Sequence, residues 1–375
     1  MKRYLNLIFI VLAWLFSIVN TSGLGLVYKT PEKTNYIIII WFLFVLLKSK
    51  QKITIGGKYT FLSFLTILSF IIIPFISANS WDGFTYLLMI PLVYCFSQQK
   101  ISQFDIYSSG YIVAGLGICT LYVYSKTDIL AGWNDNQIGM IGLFSYLYYA
   151  ISLFGKISFR KMSIGVTISI IYMILLTQNT ESRSIAIFII IALIMAYFGE
   201  ITRKITDKKR FVFIALSVPL LVAVAIVLFP QLEIFQAFNK WSEQNYGKSA
   251  FNGRDELWMY TFQNLSKNYY LGDGKFLINH HNSAMAALGV FGVIGYICWY
   301  KLLAIPVRKM TYYIYDDIVF GCLMAFLLIF WQQSFDLGFI SASPNMIPYV
   351  ILGVGLGRVK TISIYAKNQY NNTSI

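Results

Sequence analysis

The sequence predicts an all-α, polytopic integral membrane protein with about 12 transmembrane helices. Hydrophobic residues make up 57% of the 375 residues, charged residues make up only 12%, and the mean hydropathy is +0.64. This composition is too apolar for a soluble fold of this length. Mostly apolar segments of spanning length lie near residues 4–27, 35–48, 59–77, 83–97, 104–125, 137–155, 161–178, 182–199, 211–230, 283–303, 318–335 and 345–359.

The distribution of charge predicts the topology. With a cytoplasmic N-terminus, 21 of the 30 Lys and Arg residues fall on the inner side, but only 5 of the 16 Asp and Glu residues do. This pattern follows the positive-inside rule and places both termini in the cytoplasm. The formal net charge of +14 is therefore explained by topology, and it does not indicate a nucleic-acid partner.

The chain is predicted to form a single transmembrane domain over residues 1–375, because no soluble domain separates from the spans. The first helix follows Lys2 and Arg3 and lacks a small-residue cleavage site, so we expect it to be retained. In the last helix, Gly353, Gly355 and Gly357 favour close helix packing over a dinucleotide-binding loop.

Three polar clusters lie at the outer ends of predicted helices, where the positive helix N-termini favour an anion. The first runs from Trp133 to Gln137 and includes Asp135 and Asn136, which either cap the sixth helix or contact a substrate. The second includes Arg183, at the start of the eighth helix. This arginine either reaches toward lipid head groups or binds an anion, because a cation beside a positive helix end is otherwise disfavoured.

The third cluster is the external loop 231–282, between the ninth and tenth helices. Asn252 and Asp255 resemble a capping box, and the apolar residues that follow have helical spacing. The loop is therefore predicted to contain an amphipathic helix near 253–266, lying at the outer interface. Trp258 is expected either to seat this helix or to contact a substrate.

Arg254 falls in the first turn of this helix, directly after Gly253. Free backbone N–H groups and a guanidinium together suit a phosphate at this position. The alternative interpretation is a surface arginine paired with Glu256 or Asp273.

Both histidines of the chain, His280 and His281, precede the tenth helix, for which Asn282 is a predicted N-cap. A helix N-terminus disfavours the imidazolium, so His281 is expected to be neutral and able to accept a proton as a general base. The alternative is a capping or interfacial histidine without chemistry. Adjacent histidines point in different directions and no third ligand has suitable spacing, so no metal is expected.

Taken in order, these clusters resemble the O-antigen ligase and polymerase superfamily, and most of all its Wzy-type polymerases. The resemblance covers about residues 130–300 and rests on five motifs in order. These are Asn134 to Asn136, Glu181-Ser182-Arg183, Gly253-Arg254 with Trp258, the turn Leu271-Gly272-x-Gly274, and His281-Asn282 with Gly289, Gly292 and Gly295. The resemblance implies a GT-C-type glycosyltransferase of the bacterial cytoplasmic (inner) membrane, with its site on the outer face and with no metal, nucleotide or other cofactor.

The resemblance also implies roles for single residues. Arg183 and Arg254 would hold the pyrophosphate of an undecaprenyl-pyrophosphate-linked oligosaccharide. His281 would deprotonate or orient the attacking sugar hydroxyl, although the doubled histidine leaves open which of the two acts. Substrate contacts are assigned to Asp135, Asn136, Gly253, Trp258, His280 and Asn282.

Three functions remain open at this point. A polymerase passes the growing glycan to a new lipid-linked repeat unit, an O-antigen ligase passes it to lipid A core, and a flippase moves lipid-linked oligosaccharide across the membrane. The abundance of Ile, Tyr, Phe and Asn favours the polymerase. Transporters place ionisable residues and broken helices near the bilayer midplane. Transport is disfavoured because the predicted spans here are almost free of charge and the polar groups gather at the outer boundary. Membrane lipid and a chain-length regulator of the Wzz type are the partners expected by analogy.

Overall fold

The protein is described by a computed structural model over residues 5–21, 57–81, 83–126, 135–155, 159–179, 183–208, 210–228, 232–247, 253–268, 270–275, 280–336, 339–340 and 345–373. Within these ranges all regular structure is helical, so the predicted all-α class is confirmed. The helices are α1 (Leu5–Thr21), α2 (Gly57–Ala78), α3 (Phe84–Leu87), α4 (Met89–Ser97), α5 (Gln103–Lys126), α6 (Asp135–Ala150), α7 (Phe159–Asn179), α8 (Arg183–Tyr197), α9 (Gly199–Thr206), α10 (Phe211–Leu228), α11 (Glu233–Tyr246), α12 (Arg254–Lys267), α13 (Ser283–Thr311), α14 (Asp317–Gln332) and α15 (Ile347–Thr373).

Six of these helices are long and apolar enough to cross a membrane, namely α2, α5, α7, α10, α13 and α15. The pair α8 and α9 meets at a bend of 93° and makes a seventh candidate if it is one span, and α1, α6 and α14 are shorter apolar helices. The chain is therefore a multi-pass membrane protein. The predicted span 35–48 lies outside the described residues, so the number twelve stays a prediction.

The helix α14 lies at the centre of the molecule. All residues from Ile318 to Phe330 are buried, as expected for a helix that is apolar on every side. It packs against α6, α8, α10, α13 and α15. By contrast, α2, α7 and α10 each expose large apolar side chains, such as Phe61, Ile174 and Phe213, which face lipid in a membrane protein.

The predicted close packing at the last helix is present in the structure. A Cβ atom on Gly353 or Gly357 would collide with Phe96 of α4, so glycine allows α15 to approach α4 at these two positions.

A proline within α10 is compensated by the central helix. Pro219 has no N–H, so it leaves the carbonyl of Ala215 without its usual donor. The indole N–H of Trp331, near the end of α14, donates to that carbonyl at 2.8 Å. This bond fixes the C-terminal end of α14 against α10.

Ion pairs join charged residues at the predicted inner ends of the helices. Arg358 of α15 bonds Asp316 with its Nη2 2.8 Å from Oδ2, and Arg203 of α9 pairs with Asp317. Since α14 starts at this end and α15 returns to it, the segment that connects these two helices lies at the opposite end. The loop 231–282, which the sequence predicts to be external, reaches that opposite end, because Asn282 donates to the carbonyl of Ser334 at 3.2 Å.

The helix α13 consists of two segments that meet at Gly292. Its φ of 67° and ψ of −174° are not helical, and glycine alone adopts this backbone conformation readily. The prediction of one continuous helix over 283–303 is wrong in this respect. The first segment, Ser283–Phe291, is a short half-helix in which every residue is buried.

The physical reason for the break is the segment Tyr270–Gly274, which follows α12. The N–H groups of Asp273 and Gly274 donate to the carbonyls of Gly289 and Val290, at 2.6 and 3.1 Å. In a continuous helix those carbonyls would accept from residues four positions further along α13.

A hydrogen bond also runs in the opposite direction, from α13 to the segment Tyr270–Gly274. The N–H of Val293 donates to the carbonyl of Tyr270 at 3.1 Å. Gly272 lies so close to Val290 that a Cβ atom would overlap the carbonyl oxygen. The predicted turn at Leu271–Gly274 is thus docked into the helix break, and the backbone groups that the break frees are bonded to the turn.

Candidate functional site

The helix α12 places the external loop against the spans. It packs on α10 and α13, and its residue Trp258 is fully buried in an apolar cluster that includes Ala223 and Met285. The indole N–H of Trp258 donates to the carbonyl of His280 at 2.6 Å. Trp258 therefore seats the loop, the first of its two predicted roles, and its burial leaves no ring face for a sugar.

The start of α12 lies where the sequence predicts a helix, within one residue. The helix begins at Arg254, and Gly253 before it has φ +75°, a conformation that favours glycine. Asn252, the predicted cap, lies outside the described part of the chain. Arg254 thus occupies the first turn of the helix.

The Arg254 side chain is partly buried, and its Nε makes no hydrogen bond to any residue that the structure describes. Burial lowers the pKa of this guanidinium, while the charge of Asp336 raises it. The acidic neighbour that acts on Arg254 is therefore Asp336, which follows α14, and not Glu256 or Asp273 as the alternative interpretation proposes. Arginine remains charged at neutral pH in this setting.

The two histidines have different surroundings. His280 is 2% exposed, and its ring lies against Gly289 and close to Thr261. His281 is only partly buried and has a positive φ of 46°. Of the two histidines, His281 is therefore the more exposed.

The pKa of His281 is lowered, first by burial and then by the charge of Arg254. Both effects act against the imidazolium, so the ring is neutral at neutral pH. This is the protonation state predicted from the sequence, but its causes are burial and a neighbouring guanidinium. Arg254 and His281 are therefore close enough to interact electrostatically.

Asn282 forms the predicted N-cap of α13. Its Oδ1 accepts from the N–H groups of Ala284 and Met285, at 2.8 and 3.1 Å. Its Nδ2 donates to the carbonyls of Pro219 and Ser334, at 2.8 and 3.2 Å. These four bonds saturate the amide, so Asn282 is a positioning residue that joins α13 to α10 and α14. Substrate contact by this residue stays a prediction.

The bond to Pro219 also locates the half-helix. Pro219 is near the middle of α10, which continues to Leu228, about 13 Å further at the helical rise. The start of α13 therefore lies recessed within the protein and not at the outer boundary, where the sequence places it. The reason is the break at Gly292, which separates the half-helix Ser283–Phe291 from the rest of α13.

A polar segment that the sequence analysis did not single out completes the site. It begins at Gln332, the last residue of α14, and includes Gln333, Ser334 and Asp336. The backbone N–H of Ser283 donates to the Gln333 carbonyl at 3.0 Å. The signal in the sequence is three consecutive polar residues and an aspartate between two strongly apolar helices.

For the other two predicted clusters, the structure shows the positions of the helices that begin there. The Nε2 of Gln333 lies 3.9 Å from the Sδ of Met140. Met140 is about one and a half turns after Asp135, at which α6 begins. The helix α8, which begins at Arg183, packs against α6 and α14. The side chains of Asp135, Asn136 and Arg183 lie outside the described part of the structure, so their contacts stay predictions.

Within the described ranges, no group of three or more His, Cys, Asp or Glu side chains is arranged to hold a metal ion. The described side chains of the site are a guanidinium, an imidazole, the carboxylate of Asp336 and uncharged polar groups.

No protein-family model matches the chain, and no curated protein matches it in sequence. The functional assignment therefore depends on the motifs and on the geometry of the site.

Proposed function

We propose that the protein polymerises lipid-linked polysaccharide repeat units. It transfers the growing glycan from undecaprenyl pyrophosphate to the non-reducing end of a new lipid-linked repeat unit, on the outer face of a bacterial cytoplasmic membrane. The observation that carries this proposal is the bond from Trp258 of α12 to the His280 carbonyl. This bond brings Arg254, one turn before Trp258, to the segment that holds His281, whose pKa is lowered by burial and by the charge of Arg254. A cation for a leaving pyrophosphate and a base for an incoming hydroxyl are the two groups that metal-free glycosyl transfer requires.

In the proposed reaction, the bond from the anomeric carbon to the pyrophosphate oxygen breaks, and the pyrophosphate leaves with the electron pair. The acceptor hydroxyl forms a new bond to that carbon from the opposite face, and its proton passes to His281. Arg254 neutralises the charge that develops on the leaving group, and the resemblance supplies Arg183 as a second cation. The stereochemistry at the anomeric carbon is inverted.

The burial of the two histidines supports His281 as the base. His280 is almost completely enclosed beside Gly289, whereas His281 is partly exposed. His280 positions the segment through its carbonyl, which accepts from Trp258.

A variant series tests the two assignments. We expect Arg254→Ala to reduce polymerisation by about 10² to 10³-fold and His281→Ala by about 10² to 10⁴-fold, with normal amounts of protein in the membrane. Lys267→Ala is the matched control, because Lys267 is an exposed cation at the other end of α12. Full activity of His281→Ala would contradict the assignment of the base.

An O-antigen ligase uses the same donor and differs in the acceptor. In a host that makes lipopolysaccharide, deletion of the gene separates the two functions on a gel of the envelope glycan. Core capped with a single repeat unit supports the polymerase. Bare core with long lipid-linked polymer supports the ligase.

One observation favours a flippase, namely the break in α13, because many transporters bind substrate at broken helices. The carbonyls and N–H groups at this break are, however, bonded to Tyr270–Gly274, and so they are engaged by the protein itself. The Arg254→Ala variant discriminates here too. In a polymerase defect the lipid-linked repeat unit still reaches the outer leaflet, whereas in a flippase defect it stays inside.

A further inference from the structure

Three buried polar side chains between the end of α14 and the start of α15 each have one polar atom without a hydrogen-bond partner in the described part of the protein. Gln332, Ser334 and Asn345 are 0%, 1% and 2% exposed. The Nε2 of Gln332, the Oγ of Ser334 and the Nδ2 of Asn345 make no hydrogen bond to the described part of the protein. Buried polar atoms of native proteins nearly always have a partner, so these three atoms indicate a ligand.

The orientation of the two amides is set by their oxygen atoms. The Oε1 of Gln332 accepts from the neighbouring Gln333, and the Oδ1 of Asn345 accepts from the N–H of Ile347 at 3.0 Å. Each amide therefore has its NH₂ group available as a donor. The hydroxyl of Ser334 adds a group that either donates or accepts.

The position of Ser334 connects this cluster to the candidate site. Its carbonyl accepts from the Nδ2 of Asn282 at 3.2 Å, and Asn282 directly follows His281. Two residues after Ser334 stands Asp336, whose charge acts on Arg254.

Asn345 is joined to the same segment through Phe339. The N–H of Phe339 donates to the Oε1 of Gln333 at 2.8 Å, and the carbonyl of Phe339 accepts from Tyr349 in the first turn of α15. Asn345 stands two residues before α15 begins at Ile347. The three unsatisfied groups thus belong to one polar cluster at the outer end of α14 and α15.

The chemistry of the cluster indicates a neutral ligand that is rich in oxygen. None of the three side chains carries a charge, and two of them present N–H donors with fixed orientation. Such a set suits hydroxyl or acetamido oxygens and lacks the cation that a phosphate requires. We propose that Gln332, Ser334 and Asn345 form a saccharide subsite, which binds a sugar ring beside His281. This inference rests on the proposed function and adds to it the residues that recognise the sugar.

Ligand-induced thermal stabilisation of the purified protein tests the subsite without requiring turnover. The probes are undecaprenyl pyrophosphate alone and lipid-linked saccharides extracted from a strain that lacks the gene. The variants are Gln332→Met, Ser334→Ala and Asn345→Asp, the last of which keeps the acceptor for Ile347. Ser163→Ala is the control, because Ser163 is an exposed serine on α7.

We expect each variant to respond to undecaprenyl pyrophosphate like the wild type, because Arg254 is intact. We expect each to lose affinity for the saccharide at least ten-fold. In Ser334→Ala, the Tm of the protein without ligand should be unchanged or higher, because an unsatisfied buried group has been removed. A group with only a structural role would instead lower the Tm.

Wild-type saccharide affinity in all three variants, or a lowered Tm in Ser334→Ala, would overturn the subsite. Failure of the proposed function has a different signature, since the wild type would then bind the saccharide and release no undecaprenyl pyrophosphate. The two sources of the sugar are also separable. An increased KM for single repeat units alone assigns the subsite to the acceptor, and an increased KM for long lipid-linked glycan alone assigns it to the donor.

Discussion

At the scale of single residues, the reactivity proposed for His281 follows from where its ring lies. Burial and the guanidinium of Arg254 together lower its pKa below the ordinary value of 6.5. The ring therefore remains neutral at pH values where an ordinary histidine is already protonated, and only the neutral ring accepts a proton. Activity is expected to fall only when the pH drops through this lowered pKa.

The electrostatic part of this effect is testable by chemical modification. Diethyl pyrocarbonate reacts with neutral imidazole, so the rate of modification against pH gives the pKa of the accessible histidine. In Arg254→Gln, removal of the positive charge should raise the pKa of His281 and move the midpoint of the profile to higher pH. The signal that remains in His281→Ala is subtracted. An unchanged midpoint in Arg254→Gln would show that the two groups do not interact.

Asn282 is predicted to matter for stability through its four hydrogen bonds. Asn282→Ala removes both the cap and the two donors, and should destabilise the folded state by about 2 to 4 kcal/mol. Asn282→Ser keeps a capping oxygen and should lose about 1 kcal/mol less. Thermal unfolding of the detergent-solubilised variants measures both effects. Equal losses in the two variants would argue against the cap.

Part of the site could be predicted residue by residue from the sequence. Arg254 and His281 each belong to a short sequence motif, and Asn282 has the residue type and position of an N-cap. The contribution of Asp336 could not be predicted, because it depends on the approach of two segments that are distant in sequence. The choice between His280 and His281 also depends on burial, which adjacent positions in the sequence do not show.

At the scale of elements, the break in α13 is the feature on which the position of the site depends. Gly292 has a conformation that other residues adopt only with strain, and its Cβ would come within 2.5 Å of the Tyr270 carbonyl oxygen. Gly292→Ala should therefore displace the segment Tyr270–Gly274 and reduce activity at least ten-fold.

The matched control for this substitution is Gly115→Ala in α5. A Cβ on Gly115 meets no atom within 4 Å, and alanine in a helix is favoured over glycine by roughly 0.8 to 1 kcal/mol. Limited proteolysis at the external loop and polymerisation activity are the two measurements. Normal activity and normal protection in Gly292→Ala would contradict the proposed role of the break.

The helix in the external loop and the break in α13 differ in how far sequence predicts them. A helix near 253–266 follows from the spacing of apolar residues, and the structure has α12 at Arg254–Lys267. The spacing of apolar residues does not indicate the break, because the sequence stays apolar on both sides of Gly292. It depends on hydrogen bonds from Tyr270–Gly274, and these are tertiary contacts.

At the scale of the whole molecule, the two ends of the helices differ in chemistry. Ion pairs of Arg203 and Arg358 join the helices at one end, and the recessed polar site lies at the other. The charge distribution predicts that the ion-paired end is cytoplasmic. The multi-pass architecture could be predicted from sequence composition, whereas the packing around α14 could be known only from the structure.

Labelling of single cysteines tests this orientation. With the four native cysteines replaced by alanine, Lys267→Cys should react with a membrane-impermeant maleimide in intact spheroplasts. Lys204→Cys, on α9, should react only after permeabilisation. Both positions are exposed, so accessibility on the protein itself does not limit the reaction. The reverse pattern would place the site in the cytoplasm and contradict an outer-face polymerase.

The most direct test of the proposed function is polymerisation by the purified protein in proteoliposomes. The substrate is the lipid-linked saccharide that accumulates in a strain without the gene, and the readouts are glycan length and released undecaprenyl pyrophosphate. We predict a ladder of products, with one undecaprenyl pyrophosphate released per unit added, for the wild type and Lys267→Ala, and none for His281→Ala. Unchanged substrate with folded wild-type protein, or equal ladders from the wild type and His281→Ala, would contradict a polymerase that acts through His281.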